Sequence, residues 1–181
     1  MTRLKIMGIS GSLRTNSSAT MVLKQVAMLL PSSVGFNMYS GLGELPHFND
    51  AADEPATVKQ FKNLVAAADG IFICSPEYAF GVPGTLKNAL DWTVSSGEFD
   101  KKPVAALSAS PTSAGGDKAH ASLLLVLSAL SARVVASASF PIPAIYKKIS
   151  KTGAVVDPAI VDLLARVLAD LKAEIRKGPP E

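Results

Sequence analysis

The feature that most restricts what this chain can become is the run DGIFICS at 69–75, where apolar side chains fill consecutive positions instead of alternate ones. A strand with one face in water alternates polar and apolar residues, whereas a strand covered on both faces is apolar throughout. The second pattern belongs to parallel sheets flanked by helices. Similar runs occur at 4–10, 104–110 and 133–140, with a weaker one at 34–39. Between them apolar residues return at helical spacing: Met21, Val22, Val26, Leu29 and Leu30 within 19–30, then segments at 55–67 and 83–94. A long helix runs from the Gly115-Gly116 pair to about Leu130, and an amphipathic one spans 157–177 before Pro179-Pro180 ends it. In the 83–94 segment proline suits the first turn, and Leu86, Leu90 and Val94 share one face. The stretch GLGELP at 41–46 reads as loop. Five strands alternating with five helices predict a three-layer α/β architecture, a doubly wound five-stranded parallel sheet, because parallel crossovers need helices.

At 181 residues the chain suits one domain, 1–181, with no repeat, linker or low-complexity tract. Hydrophobic residues at 48% and charged residues at 18% exclude a disordered chain, a fibrous repeat and a coiled coil. The net charge of +3 hints at anionic ligands, but the longest basic runs are the pairs Lys101-Lys102 and Lys147-Lys148 and aromatics are sparse, so no nucleic acid is expected. One cysteine, Cys74, makes neither an intrachain disulfide nor a multi-thiolate metal site, and a reduced cytoplasmic setting follows as the expectation. The first eight residues carry charges inside their apolar stretch and are wrong for a signal peptide; the most apolar segment, 121–132, is too short to span a bilayer, so no membrane partner is expected.

In an open α/β sheet ligands lie outside the carboxyl ends of the strands, where strand order reverses, which singles out the loops after strands one, three and four. The first, 10–18, holds one glycine, one arginine and six hydroxyl or amide side chains just before a helix N-terminus. Backbone amides, hydroxyls and a guanidinium together fit a phosphate. The plainer reading is that Asn16 or Ser17 merely caps the helix, which leaves Ser10, Ser12 and Arg14 unexplained. There is no GxGxxG fingerprint, no acidic residue ending the second strand and no Gly-Lys-Ser/Thr ending, so a monophosphate fits better than a pyrophosphate or triphosphate. The second loop, 76–82, continues into Pro83-Gly84 and mixes Tyr78 and Phe80 with prolines and glycines, suiting a flat heteroaromatic ring; an ordinary turn with both aromatics folded inward is the alternative. The third, 108–116, is small residues ending in Gly115-Gly116 and by itself says little.

These residues resemble the NADPH-dependent FMN reductase family, flavodoxin-like proteins that include chromate, quinone and azo-dye reductases. The markers are Gly11-Ser12-Leu13-Arg14 followed by Ser17, then Pro76-Glu77-Tyr78 leading into Val82-Pro83-Gly84 and Leu86-Lys87-Asn88-Ala89-Leu90-Asp91-Trp92, and the Gly115-Gly116 pair. The resemblance covers nearly the whole chain, and its middle block is the specific part. It implies a sheet of order 2-1-3-4-5 with FMN between the first and third strands. It further implies an FMN phosphate on Ser12, Leu13, Arg14, Thr15, Asn16, Ser17, Ser18 and Ala19, an isoalloxazine ring beside Pro76, Glu77, Tyr78 and Ala79, and Ser110 next to the flavin. NADPH or NADH would be the donor, a small molecule the acceptor, and the assembly a homodimer or homotetramer. Three departures stand out: Ala19 and Ala79 occupy places where the family usually has asparagine, the third loop reads Ser110-Pro111-Thr112-Ser113 where a glycine is common, and the usual arginine near Leu124 is missing.

No catalytic side chain and no metal ligand is expected, since a flavin carries the chemistry, by ping-pong transfer of electrons from nicotinamide to acceptor. Glu77 reads as structural, because a carboxylate beside the flavin would oppose the charge of the reduced ring. His47 sits in a loop, His120 reads as a surface or interface residue, and two isolated histidines make no metal site. Low-molecular-weight phosphatase chemistry is excluded because the first loop has no cysteine. Two rivals stay open: a non-enzymatic flavodoxin-type electron carrier, against which the +3 charge speaks, and a cofactor-free interaction protein.

Overall fold

A computed structural model describes residues 3–49, 53–150 and 152–178; Met1, Thr2 and the Pro179-Pro180 pair lie outside them. The order is β1 (Leu4–Ser10), α1 (Ser18–Leu29), β2 (Val34–Tyr39), α2 (Ala56–Ala67), β3 (Gly70–Ser75), α3 (Gly84–Asp91), β4 (Pro103–Ala109), α4 (Asp117–Ala129), β5 (Arg133–Val134), β6 (Phe140–Ile142) and α5 (Pro158–Arg176). The strands run in the order β2-β1-β3-β4-β5, all pairings parallel, with β6 also on β4.

Alternate side chains of each central strand enter two separate cores. Ile6, Phe72, Cys74, Ala105 and Leu107 pack with α1 and α5; Met7, Ile9, Ile71, Ile73, Val104 and Ala106 pack with α2, α3 and α4. Two-sided burial is why DGIFICS carries no polar alternation: every residue from Gly70 to Ser75 is buried. Cys74 lies within that strand at full burial, and burial pushes its thiol well above the ordinary range, so it serves as a small hydrophobe.

The edge strand expected over 133–140 is broken in two. The register on β4 pairs Val104 with Val134, an offset of 134 − 104 = 30, but Leu107 with Phe140, an offset of 140 − 107 = 33, so three residues are extruded. They form a 3-10 turn at Ala136–Ala138. The ladder position they vacate is filled by the Ser139 hydroxyl, which accepts from the Ala106 amide at 3.0 Å. A second correction concerns α3, which stops at Asp91: Leu86 and Leu90 are buried as expected, whereas Val94 is 61% exposed. Pro83 stands at its N-cap rather than inside the first turn. The expected loop at 41–46 contains a 3-10 turn, Gly41–Glu44, that buries Leu42.

His120, expected at the surface or an interface, is only 8% exposed within the chain, and its Nδ1 has no hydrogen-bond partner among the described residues. Burial holds its pKa below the ordinary 6.5, against a smaller opposing effect of the Ser139 backbone. A folded-state pKa below the unfolded one means that the unfolded chain takes the proton first. The stability from neutral His120 is complete above 6.5 and is lost as pH falls through that value toward the folded pKa. Urea midpoints should therefore drop between about pH 7.5 and pH 5.5, and His120→Gln should flatten that drop. An equally steep decline in His120→Gln would assign it to other groups.

Candidate functional site

Order 2-1-3-4-5 places the loops after β1, β3 and β4 side by side at the carboxyl edge of the sheet, with the reversal of strand order between β1 and β3. The first loop is a network of hydroxyls. Ser17 caps α1, its side chain accepting from the Thr20 amide at 3.1 Å. Thr20 Oγ1 in turn meets Ser17 Oγ at 2.8 Å and Ser10 Oγ at 2.9 Å, and reaches the Arg14 carbonyl at 3.4 Å. The Ser10 side chain accepts from the Ser12 amide, and Ser12 Oγ from the Arg14 amide, at 3.3 and 3.2 Å. Cap and network coexist, so the capping role of Ser17 leaves the rest of the loop free to do more.

Of the residues expected here, Leu13, Arg14, Thr15 and Asn16 are exposed, Ser18 is half-buried, and Ser12 and Ser17 are buried. Ala19 is different: it is fully buried in the core that α1 shares with α5, so its methyl group is packed inward. The amides of Ser18 and Ala19 are the first two of α1 and have no partner inside the helix. With the helix dipole and an exposed Arg14 in the same loop, this end suits a phosphate.

The second loop is a tight turn in which Tyr78 and Gly81 exchange backbone hydrogen bonds of 3.2 and 3.0 Å. Its two central residues, Ala79 and Phe80, both sit at positive φ, 48° and 60°. Two left-handed residues in succession favour Asn and Gly, and alanine and phenylalanine there are strained. The turn holds Tyr78 at 47% and Phe80 at 79% exposure, so the inward-folded alternative does not hold. The Tyr78 hydroxyl lies 3.3 Å from Ser12 Oγ, joining the second loop to the first. Glu77 accepts from the Ala119 amide at 2.9 Å, joining it to α4.

In the third loop Ser110 is 3% exposed, with its hydroxyl 3.1 Å from that of Thr112. The buried Ser108 hydroxyl donates to the Gly115 carbonyl at 2.8 Å. Among the described residues no group of three or more His, Cys, Asp or Glu could hold a metal ion. His47 is exposed, in a segment clamped by the motif that α3 carries: Asn88 accepts from the Phe48 amide at 2.7 Å, and Asn88 Nδ2 and Trp92 Nε1 both donate to the Pro46 carbonyl at 2.9 Å.

Two features escaped the sequence reading. Thr20 is the hub of the first loop, and its signal was a hydroxyl three residues after the Ser17 cap. The segment around Tyr146, Ile149, Ser150 and Thr152 faces Asn16 and Ser18 across a cavity of about 270 Å³, a contact over more than 120 residues that no local pattern announces. The residues present fit FMN: a hydroxyl-rich helix start for the phosphate, and an aromatic turn and a glycine-lined loop for the ring.

Comparison with known proteins agrees. Residues 4–147 match the family model of NADPH-dependent FMN reductase. The chain is 32% identical over 169 residues, 90% of each protein, to a quinone reductase of Escherichia coli K12. It is 28% identical over 179 residues, 96% of each, to an NAD(P)H-dependent FMN reductase of Pseudomonas aeruginosa. Among solved structures it superposes on the flavoenzyme NAD(P)H:acceptor oxidoreductase FerB of Paracoccus denitrificans with a TM-score of 0.85 and 27% identity, covering 98% of this chain and 100% of that one. The flavodoxin-like sheet and these matches have one meaning: the chain belongs to the NADPH-dependent FMN reductase family, oxidoreductases whose cofactors are FMN and a reduced nicotinamide nucleotide.

Proposed function

We propose that the protein is an FMN-dependent NAD(P)H oxidoreductase that delivers electrons to small planar or oxyanionic acceptors, among them quinones, azo compounds, metal oxyanions and free flavin. The observation that carries this reading is the juxtaposition of the hydroxyl-lined α1 start with the exposed Tyr78 and Phe80 turn across one hydrogen bond, from Ser12 to Tyr78. FMN supplies hydride acceptance and electron donation at one place, which gives ping-pong kinetics. The chain's own part is binding and orientation. Ser12, Leu13, Arg14, Thr15, Asn16, Ser17, Ser18 and the Ala19 amide hold the phosphate, Pro76, Glu77, Tyr78 and Ala79 border the ring, and Ser110 lies beside it; no side chain transfers a proton in this scheme. The exposed aromatic turn is left open for a flat acceptor, and the net charge of +3 favours an anionic donor. A homodimer or homotetramer and a cytoplasmic setting complete the proposal; the exposed Phe80 beside the site supports the first, and the unpaired buried Cys74 the second.

The test is an absorption spectrum after FMN addition and desalting, then anaerobic NADPH, then initial rates with a quinone. Retained flavin bands that bleach, with parallel double-reciprocal lines, are the expected result. Flavin that stays bound but unbleached would make the protein a carrier, converging lines would exclude the ping-pong order, and no retained flavin at micromolar protein would remove the function itself.

A further inference from the structure

The middle loop of the site is braced in two directions by consecutive residues. Tyr78 reaches back to Ser12 in the first loop, at 3.3 Å, and Glu77 reaches forward to the Ala119 amide in α4, at 2.9 Å. Ala119 is the third residue of α4, so its amide is one of those a helix cannot satisfy internally. A carboxylate there supplies the missing acceptor and meets the positive end of the helix. The close approach is permitted by Gly116: a methyl group on it would lie 3.2 Å from Glu77 Cβ. Beyond the brace, Ala79 and Phe80 hold left-handed conformations that L residues keep only when their surroundings impose them. α4 itself follows directly on the third loop, whose Gly115 carbonyl is tied to Ser108. Release of Glu77 would therefore loosen the second loop and the start of α4 together.

We propose that Glu77 is a positioning residue, tying the second loop to the amino end of α4 and so fixing the spacing of the loops that hold FMN. The inference rests on the flavin reading above. Glu77 borders the ring as part of the second loop, but its carboxylate is engaged by the Ala119 amide, which separates it from a proton donor.

The test is titration of FMN into the apoprotein, read by quenching of flavin fluorescence, with urea midpoints for apo and FMN-loaded protein. For Glu77→Ala the Kd should rise about tenfold, because a charge-assisted hydrogen bond is lost. Glu77→Gln keeps an acceptor oxygen at the same reach and should return the Kd to within about threefold of the parent, with the parent's visible flavin circular dichroism. Glu77→Asp keeps the charge but withdraws the reach, and should behave like Glu77→Ala; it decides the matter if Glu77→Ala does not fold. A Kd within about twofold of the parent in both Glu77→Ala and Glu77→Asp, with apo and loaded midpoints lowered equally, would reduce Glu77 to a structural cap and overturn the proposal. So would Glu77→Gln binding as weakly as Glu77→Ala. If the parent protein binds no FMN, the flavin reading fails before any substitution is compared and takes the proposal with it.

Discussion

Gly115→Ala is expected to destabilise the protein by about 2–5 kcal/mol and to abolish retention of FMN. Two effects add at this position. Gly115 sits at φ +68°, and an L residue held there costs about 1–2 kcal/mol. Its new Cβ would also lie 2.8 Å from the Ile142 carbonyl carbon and the Pro143 nitrogen, and these are backbone atoms that cannot rotate away. Overpacking of that kind adds about 1–3 kcal/mol. The strain has a definite route into the site, since the third loop is stitched to the same segment by the Ala144 amide on the Thr112 carbonyl and the Ile145 amide on the Ser110 carbonyl. Pushing Gly115 away from Ile142 drags Ser110 with it. Gly97→Ala isolates the conformational part, because Gly97 has φ +76° and nothing within 4 Å of the added methyl. Thermal midpoints and FMN retention should therefore separate the two variants: a modest fall with flavin kept for Gly97→Ala, a fall of roughly 5–15 °C with flavin lost for Gly115→Ala. Equal midpoints would mean that the clash is relieved elsewhere and that the loop is more pliant than its hydrogen bonds suggest.

Much of this arrangement is written locally in the chain. The central strands are legible because burial on both faces forces a pattern that neither a helix nor a half-exposed strand produces, as in Ile71, Phe72, Ile73 and Cys74. The edge is less legible. In 133–140 the Ala-Ser-Ala-Ser stretch is too small to declare a face, and whether it pairs depends on the Ser139 hydroxyl finding the Ala106 amide across the sheet. Val94 failed for a similar reason: helical spacing continues past Asp91 although the helix does not, because turns take over at Thr93 and Val94. At the site, the residue types in the first loop point to a phosphate, but where each of them sits in the fold is decided by tertiary structure. Ala19 turns its side chain into the core, and the second loop declared its aromatics but not their exposure, which depends on the strained geometry of Ala79 and Phe80. The burial of His120 within the chain is not legible either, because one buried histidine on a mostly apolar helix has no signature that separates it from an exposed one.

Thr20→Val should be the second large effect, and it acts through a residue that need not touch the ligand. The side chains have nearly the same shape, so the change removes a hydroxyl without opening a cavity. What it removes is the meeting point of Ser10, Ser17 and the Arg14 carbonyl, in a site where Thr20 is buried. Ser10 and Ser17 would then face a methyl group where each had a hydroxyl partner, and losing those two hydrogen bonds costs about 1–3 kcal/mol. Ser17 still caps the Thr20 amide, and Ser12 still meets the Tyr78 hydroxyl, but Ser10 loses its tie to α1, and with it the Ser12 amide loses an anchored acceptor. FMN affinity should fall roughly tenfold or more as amides that were preorganised for a phosphate become mobile. Thr20→Ser keeps the hydroxyl and should bind FMN nearly as well as the parent, which distinguishes loss of the network from loss of packing. If Thr20→Ser and Thr20→Val bind FMN equally weakly, the methyl group and not the hydroxyl organises the loop. If both bind as the parent does, the loop owes its shape to its own backbone, and the phosphate would be gripped by helix geometry alone.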